Sequence, residues 1–430
     1  MIKTVKKFDK GLRGEITIPA DKSLSHRAIM FSSIAQGESI ISNFSSGADC
    51  HSTLNLFKLL GTKVEFIDEK ILKVKGGDLT PLASDKMYSC GNSGTTMRLV
   101  SGILAGQNFE SILIGDESLS KRPMKRIIEP LKLMGADISS MDGKAPLYIR
   151  GKKLFGIEYK SAISSAQVKS CVLLAGLNKN TQGKTIYSEI YPSRNHTELM
   201  LKYLGVDIQT EGNTTIIYPS ELQAKDIEVV GDISSASFFI VAGLIVEGSD
   251  FIIKNVGINE TRTGILDVVH RMNGNIEILN ERIVAGEKVA DIRVQYTEDM
   301  KGCEISGADI PRLIDELPVI AVLASQVEGE TVVKDAGDLR NKETDRITCL
   351  VKELQKIGVD IFEQKDGFIV NGSTKKGLAG DTKLEVYHDH RLAMSFYVAG
   401  LICEKEIAIN GFEWTDISFP EFEFLVKSLS

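Results

Sequence analysis

The sequence has few of the residues that mark special classes of protein. Among its 430 residues there are one Trp and 10 Pro. No low-complexity tract or long run of like charge occurs, so a disordered chain is not expected. The longest apolar stretch, 238–246, is far too short to span a bilayer. The first residues, MIKTVKKFDKGLRGEI, lack the apolar segment of a signal peptide. We therefore expect a cytoplasmic protein with no membrane partner.

Basic residues and paired cysteines are also scarce. The 51 Lys and Arg residues against 58 Asp and Glu residues give a net charge of −7. Nucleic-acid-binding proteins usually have a basic excess, so nucleic acid is not an expected partner. The 6 Cys are widely spaced and form no Cys-x-x-Cys pair. This spacing indicates buried free thiols, not disulfides or a metal site.

What the sequence does contain is an internal repeat. A polar start precedes an apolar, helix-like run in residues 21–36, 91–106, 164–176, 232–243, 315–325 and 388–400. A second, amphipathic run ends in Gly and leads into a strand-like alternation, with the glycines at Gly61, Gly135, Gly205, Gly274 and Gly358. Each of these glycines is a plausible helix cap with positive φ. About six copies of roughly 70–80 residues predict two α/β domains of three copies each.

The polar starts of the apolar helices suit anions, because a helix N-terminus offers unpaired N–H groups and a positive dipole end. In the first, Lys22 is followed by Ser23 and Arg27, which are four residues apart and share a helical face. In the second, Gly91 and Gly94 let the backbone approach a ligand closely. An ordinary N-cap with solvated charges and a tight turn are the plainer alternatives.

Three further segments add cations and hydroxyl groups. Arg122 precedes Pro123, which favours an extended backbone just outside a helix. Ser164 and Ser165 lie at one predicted helix start and Arg194 at another. Each segment alone is equally consistent with a cap or a solvated loop charge.

The later starts add carboxylates. Asp315 comes shortly before Pro318, which is expected in a first helical turn. It is either an N-terminal cap or a general base facing a substrate hydroxyl. Lys342 and Arg346 are four residues apart and are predicted to share a helical face, with Glu343 three residues before Arg346. The alternative is a solvent-facing charged helix.

Taken in order, these motifs resemble the 5-enolpyruvylshikimate-3-phosphate synthase family over essentially the whole chain. The matching segments are 22–27, 91–95, 121–123, 164–167, 342–346 and 389–391. The resemblance implies an α/β fold of two domains, an inside-out α/β barrel in which each domain has three βαβαββ repeats. It also implies a lower domain of residues 21–230 and an upper domain of residues 1–20 plus 231–430, with the active site in the cleft between them.

The reaction that the resemblance implies joins two anionic metabolites. The enolpyruvyl group of phosphoenolpyruvate moves to the 5-hydroxyl of shikimate 3-phosphate, and phosphate is released. This is a step of the shikimate pathway to chorismate and the aromatic amino acids. It proceeds by addition and elimination through a tetrahedral intermediate and needs no metal or organic cofactor. A monomer is expected.

The site residues are carried over from the resemblance by position. Asp315 would accept the 5-hydroxyl proton and Glu343 would protonate the methylene carbon, with Lys22 or Lys342 assisting. The residues implied for shikimate 3-phosphate are Lys22, Ser23, Arg27, Ser165, Ala166, Gln167, Arg194, Asp315 and Lys342. Those implied for phosphoenolpyruvate are Lys22, Gly94, Arg122, Gln167, Arg346 and Arg391.

Some positions depart from the most common family pattern. Leu99 lies where many members have Pro, and Ala166 and Arg194 are typical of the bacterial class II subgroup. Ile417 lies where some members have Lys, and Gly94 is the residue of glyphosate-sensitive sites.

Three alternatives to this function remain. A UDP-N-acetylglucosamine enolpyruvyl transferase usually has a reactive Cys in a loop, and the corresponding residues 118–122 contain none. The second alternative is a non-catalytic phosphate-ester binding protein. An RNA-end-processing enzyme of similar repeat fold is the third, and the net charge of −7 argues against it.

Overall fold

The computed structural model describes residues 1–373 and 377–429. The strands are β1 Ile2–Val5, β2 Arg13–Thr17, β3 Gly37–Ser42, β4 Lys63–Asp68, β5 Ile71–Gly76, β6 Met87–Ser89, β7 Glu110–Ile114, β8 Asp137–Met141, β9 Lys144–Arg150, β10 Glu158–Lys160, β11 Thr185–Ser188, β12 Ile208–Glu211, β13 Thr214–Ile217, β14 Ile227–Glu228, β15 Asp250–Gly257, β16 Asn275–Val284, β17 Glu287–Gln295, β18 Glu304–Ile305, β19 Gly329–Val333, β20 Ile361–Gln364, β21 Gly367–Gly372, β22 Thr382–Glu385 and β23 Ile407–Asn410.

The α-helices are α1 Lys22–Ile34, α2 Ala48–Leu59, α3 Gly94–Ala105, α4 Glu117–Lys121, α5 Lys125–Leu133, α6 Ala166–Leu177, α7 His196–Tyr203, α8 Ile233–Ile245, α9 Gly264–Arg271, α10 Ile310–Leu313, α11 Leu317–Ala324, α12 Arg346–Lys356, α13 His390–Gly400 and α14 Phe422–Ser428. Short 3₁₀ helices span Gly307–Asp309, Gly337–Asn341 and Phe412–Ile417.

The chain divides into two units. Unit 1 consists of Met1–Pro19, Val230–Arg282 and Lys288–Ser430. Unit 2 consists of Ala20–Val229 and Ile283–Glu287. Each unit therefore contains segments that are distant in sequence.

The six sheets formed by the described residues share one pattern, a parallel strand pair extended by antiparallel strands. In unit 2 the orders are β14-β3-β5-β4, β6-β7-β9-β8 and β10-β11-β13-β12. In unit 1 they are β2-β15-β17-β16, β18-β19-β21-β20 and β22-β23-β1. The first two strands in each order are parallel. The predicted α/β fold with three repeats in each domain is confirmed.

In four of these sheets the parallel strands follow one another in the chain and are joined by a crossover that contains α3, α6, α11 or α13. Helices α8 and α11 consist almost entirely of apolar and small residues and are therefore expected to be buried. Every residue of α8 and of α11 is buried, and α11 contacts α8 and α13 within unit 1. In unit 2, α3 contacts α1 and α6. A Cβ at Gly102 of α3 would lie 2.2 Å from the carbonyl oxygen of Cys171 in α6, so only Gly permits this close approach.

The predicted glycine caps are confirmed in four of the five positions. The φ angles are 91° at Gly61, 87° at Gly135, 90° at Gly205 and 88° at Gly358. The prediction is wrong in the fourth copy, where Asn273 has a φ of 64° and takes the left-handed position. Asn tolerates this conformation because its short side chain can bond locally. Gly274 is needed for space instead, since its Cβ would lie 2.6 Å from Cγ1 of Val269.

No helix among residues 1–373 and 377–429 is both long enough and apolar enough to cross a membrane.

Candidate active site

Five of the six predicted polar starts are helix N-termini whose first turns are capped by side chains, whereas α11 begins after Glu316 without a side-chain cap. In unit 2, Asp21 accepts from Leu24 N at 2.8 Å, Ser93 from Thr96 N at 3.1 Å and Ser165 from Val168 N at 3.5 Å. In unit 1, Asp232 accepts from Ser234 N and Asp389 from Arg391 N, both at 2.9 Å. Local capping therefore fixes where these buried helices begin, and each start carries the side chains singled out from the sequence.

One cluster in unit 2 surrounds the N-terminus of α3. A Cβ at Gly94 would lie 3.2 Å from Nη1 of Arg98 and 3.5 Å from Nη1 of Arg122. Arg98 donates to the amide oxygen of Gln167 on α6, and Arg122 donates to Oδ1 of Asn92 at 2.7 Å. The structure thus brings Gly94, Arg122 and Gln167 together, as an anion site requires.

Arg98 was not singled out from the sequence. It is buried, and it also donates to the carbonyl oxygen of Pro123 at 3.3 Å. Its position four residues after Gly94 on one helix was the available signal. The extended backbone predicted for Arg122 is confirmed, with φ −75° and ψ 143°.

A second cluster in unit 2 surrounds the buried guanidinium of Arg27. It donates from Nη1 to the carbonyl oxygen of Ser23 at 2.9 Å, which confirms their shared helical face. It also donates from Nε to Thr197 Oγ1 at 2.8 Å and from Nη2 to Ser170 Oγ at 2.9 Å. Lys22, at the first position of α1, forms an ion pair with Asp49. Neither the hydroxyl partners of Arg27 nor Asp49 was identified from the sequence.

The charges around Arg27 are of both signs. Burial lowers the pKa of Arg27 to about 10, although the nearby carboxylates, Glu198 first, oppose this. Arg194, two residues before α7, contributes to the lowering by like-charge repulsion. A phosphate held by both guanidinium groups would relieve that repulsion.

The main cluster in unit 1 is centred on Arg346, the first residue of α12. Its Nε donates to Asp389 Oδ2 at 2.7 Å, its Nη2 to Glu343 Oε2 at 2.6 Å and its Nη1 to Asp315 Oδ1 at 3.4 Å. The side chain is 1% exposed. Burial alone would lower the pKa of Arg346, but the three carboxylates outweigh burial and raise it. The guanidinium therefore stays charged.

Lys342 belongs to this cluster through a contact with Asp315 and not through a shared helical face with Arg346. Its Nζ lies 3.3 Å from Asp315 Oδ1. The prediction that Lys342 and Arg346 share a helical face is wrong, because α12 begins only at Arg346. Asp345 caps the helix there by accepting from Thr348 N at 3.1 Å. Lys342 lies before this cap in an extended conformation.

Arg391, at the start of α13, lies next to the N-terminus of α11. Its Nη1 donates to the carbonyl oxygen of Asp315 at 3.2 Å and lies 3.8 Å from Glu316 Oε1. Asp315 immediately precedes Glu316 at the N-terminal cap position, and Pro318 occupies the first turn as predicted.

A buried polar cluster next to Arg391 was not predicted from the sequence. Glu316 accepts from Ser234, whose hydroxyl accepts from Arg262 Nη2 at 2.6 Å. Arg262 also pairs with Asp232 at 3.0 Å.

Comparison with known proteins identifies the family. Residues 7–425 match the family EPSP synthase (3-phosphoshikimate 1-carboxyvinyltransferase). The chain belongs to this family. It is 50% identical over 413 residues to the 3-phosphoshikimate 1-carboxyvinyltransferase of Thermoanaerobacter sp. (strain X514), covering 96% of each chain. It is 48% identical over 425 residues to that of Citrifermentans bemidjiense, covering 98% of this chain and 97% of the other.

A solved EPSP synthase has the same fold. The structure from Acinetobacter baumannii has a TM-score of 0.89 and 41% identity, and the match covers 100% of this chain and 98% of that chain. The resemblance to the EPSP synthase family inferred from the motifs is confirmed.

In this member of the EPSP synthase family, the candidate residues fall into one group in each unit. The group in unit 2 consists of Lys22, Ser23, Arg27, Gly94, Arg122, Ser165, Ala166, Gln167 and Arg194. The group in unit 1 consists of Asp315, Lys342, Glu343, Arg346 and Arg391. The first group offers cations, hydroxyls and backbone at helix N-termini, and the second adds the carboxylates.

Proposed function

We propose that this chain transfers the enolpyruvyl group of phosphoenolpyruvate to the 5-hydroxyl of shikimate 3-phosphate, giving 5-enolpyruvylshikimate 3-phosphate and phosphate. This is the family's step toward chorismate and the aromatic amino acids. The observation that carries the proposal is the contact of one buried guanidinium, Arg346, with both Asp315 and Glu343. These two carboxylates supply the base and the acid that the reaction needs.

The addition step uses the two carboxylates in opposite protonation states. Asp315 removes the proton of the 5-hydroxyl as its oxygen bonds to C2 of phosphoenolpyruvate. Protonated Glu343 gives its proton to the methylene carbon, and a tetrahedral adduct with a new methyl group results. In the elimination, Glu343 takes a proton back from that methyl group as the C–O bond to phosphate breaks. Asp315 returns its proton to the departing phosphate, so both residues are restored.

Phosphoenolpyruvate carries a phosphate and a carboxylate and therefore needs several cations. We assign Lys22, Arg122, Arg346 and Arg391 to these charges, with Gln167 and the backbone of Gly94. Guanidinium groups suit both anions because their planar fork makes paired hydrogen bonds. The raised pKa of Arg346 supports its role as a fixed positive charge.

Shikimate 3-phosphate combines one phosphate with hydroxyl groups. We assign its contacts to the unit 2 residues Lys22, Ser23, Arg27, Ser165, Ala166, Gln167 and Arg194, and to Asp315 and Lys342 of unit 1. Arg194 is a second positive charge that acts on Arg27, which supports a phosphate held by both. Because Lys342 contacts Asp315, it keeps that carboxylate close to a cation while the hydroxyl proton moves.

The proposal requires both residue groups to act on one pair of substrates, as in the cleft predicted from the sequence. We further propose that the enzyme works as a monomer in the cytoplasm. All six cysteines are free thiols, which is usual for a reducing compartment.

The test is phosphate release from phosphoenolpyruvate by purified protein, with and without shikimate 3-phosphate. We expect release only with shikimate 3-phosphate, and a fall of roughly 10²- to 10⁴-fold in Asp315→Ala and in Glu343→Gln. Glu304→Gln is a matched control, because Glu304 is an exposed acid of unit 1 that pairs with Lys334. Binding of both ligands without release would contradict the proposal, and release with UDP-N-acetylglucosamine instead would point to another acceptor.

A further inference from the structure

A buried lysine in unit 2 has no part in the proposed chemistry. Lys169 lies on α6, four residues after Ser165, and its side chain is 4% exposed. Its Nζ lies 2.9 Å from Glu189 Oε1 and 2.8 Å from Glu198 Oε1, and it donates to the carbonyl oxygen of Ser193 at 3.0 Å. The ammonium group thus donates hydrogen bonds to Glu189 and to Ser193 and forms an ion pair with Glu198.

The three partners span one loop. Glu189 follows β11, Ser193 lies in the middle of the loop, and Glu198 lies in the first turn of α7. Glu189 Oε1 also accepts from the backbone N of Ser193 at 2.7 Å and from its hydroxyl at 3.0 Å. The loop 189–195 is therefore fastened at its start, centre and end around one ammonium group. Arg194 is the next residue after Ser193.

The same segments orient Arg27. Thr197, next to Glu198, accepts from Arg27 Nε, and Ser170, next to Lys169, accepts from Nη2. The two hydroxyls are 2.6 Å apart and hydrogen-bonded to each other. A change in the Lys169 contacts would therefore displace the supports of both Arg27 and Arg194.

Stability alone does not explain this arrangement. Burying ions costs desolvation energy, and well-packed apolar residues often stabilise a fold as well or better. Burial lowers the pKa of Lys169, but Glu198 and Glu189 outweigh burial and raise it, so the ammonium persists. Two hydrogen bonds and one ion pair converge on this one ammonium group from the start, centre and end of the loop, and together they restrict its geometry. That geometry matters most where two guanidinium groups must meet one phosphate.

We propose that Lys169 is a positioning residue for shikimate 3-phosphate, and that its ammonium group sets loop 189–195 so that Arg194 and Arg27 hold the phosphate. The inference rests on the proposed function. It predicts a selective effect on one substrate, because the phosphoenolpyruvate residues do not depend on this loop.

The test variant combines Lys169→Met with Glu189→Gln and Glu198→Gln, so that no carboxylate is left buried without its cation. We expect the KM for shikimate 3-phosphate to rise roughly ten- to hundredfold, the scale seen when supporting partners of a binding group are removed. The KM for phosphoenolpyruvate and kcat should change little. Calorimetric binding of shikimate 3-phosphate alone should weaken by a similar factor.

Lys179→Met is the matched control. Lys179 also lies between two carboxylates of unit 2, 3.0 Å from Asp78 and 3.2 Å from Glu221, but it is 44% exposed. Its removal should change neither KM. A comparison with an Arg194 variant tests whether the effect acts through Arg194. In an Arg194→Ala background the triple variant should cost much less than in the wild type, because coupled residues are not additive.

The outcomes separate this inference from the proposed function. Wild-type protein without phosphate release dependent on shikimate 3-phosphate would overturn the function itself. Active wild type with an unchanged KM in the triple variant would overturn the role of Lys169. If both KM values rose and kcat fell by the same factor, Lys169 would have a purely structural role, and the proposal would again be overturned. Should the triple variant not fold, Lys169→Arg keeps the charge and changes the geometry. It must then raise the KM for shikimate 3-phosphate, or the inference fails.

Discussion

The Nη2 atom of Arg346 lies 2.6 Å from Oε2 of Glu343, three residues earlier in the chain. The same guanidinium contacts Asp315, so the proposed acid and the proposed base share one buried cation. Its Nε is held by Asp389, the cap of α13. Both carboxylates are thus positioned by a group that is itself fixed to a helix terminus.

The first prediction concerns the shape of this cation. Arg346→Lys keeps one positive charge but offers a single ammonium in place of a planar fork that contacts three carboxylates. We expect kcat/KM to fall by roughly 10²-fold or more, because the loss of one fixed electrostatic group at a reacting centre has effects of that size. Steady-state phosphate release measures it.

Arg293→Lys controls for the loss of a paired contact. Arg293 donates to both oxygens of Asp250, at 2.9 and 2.8 Å, but its side chain is 39% exposed. This variant should retain wild-type kcat/KM. Retention of activity in Arg346→Lys as well would remove Arg346 from the catalytic proposal.

The second prediction concerns the space at Gly94. An added methyl group would lie 3.2 Å from Nη1 of Arg98, so that side chain must shift by a few tenths of an ångström, and it would contact Nη1 of Arg122 at 3.5 Å. Gly94→Ala should raise the KM for phosphoenolpyruvate roughly tenfold, the scale of one misplaced methyl group in a site. Binding of shikimate 3-phosphate alone should not change.

Gly337→Ala is the matched substitution, since its nearest contact would be Cβ of Asp366 at an ordinary 3.6 Å. It should leave both substrate affinities unchanged. An equal rise of both KM values in Gly94→Ala would argue against a local effect on the phosphoenolpyruvate residues.

The sequence predicted those features that depend on neighbouring residues. The helix starts near residues 21 and 165 and the left-handed Gly61 follow from local backbone geometry, and they were found. The shared face of Lys342 and Arg346 was predicted from spacing alone. It failed because the Asp345 side chain caps the helix and moves its start beyond Lys342.

Partners that are distant in sequence could not be predicted in this way. Arg27 contacts Thr197, and Lys169 contacts Glu189 and Glu198, only because sheet pairing brings their helices together. One such pairing joins β14 to β3, which are separated by most of unit 2. The motifs could predict candidate anion-binding residues, but not the residues that hold those candidates in place.

The third prediction concerns thiol reactivity. Five cysteines are buried and Cys303 is only partly buried. Burial raises the pKa of Cys50 to about 12, so it stays protonated at pH 8. With an aromatic disulfide reagent at pH 8, we expect one fast thiol per chain and loss of that phase in Cys303→Ser. Cys403→Ser should keep the fast phase, and a fast phase that survives Cys303→Ser would assign it to another residue.

The fourth prediction concerns His26, which links three helices of unit 2. Its Nδ1 lies 2.6 Å from Thr53 Oγ1, and Thr53 bonds in turn to Thr96 at 2.6 Å. Burial, followed by repulsion from Lys22 and Arg27, holds the pKa of His26 well below its usual value. The folded protein therefore keeps this imidazole neutral.

The sign of the pH effect follows from the unfolded chain, in which an ordinary His gains its proton below a pH of about 6.5. Since the unfolded state then binds more protons, the stability from neutral His26 is present above that pH and is lost as pH falls. In urea unfolding, the wild type should lose about 1.4 kcal/mol more than His26→Asn for each pH unit below about 6.5. His270→Asn, at an exposed position on α9, should follow the wild type. Identical pH dependence in the wild type and His26→Asn would show that His26 is not kept neutral by folding.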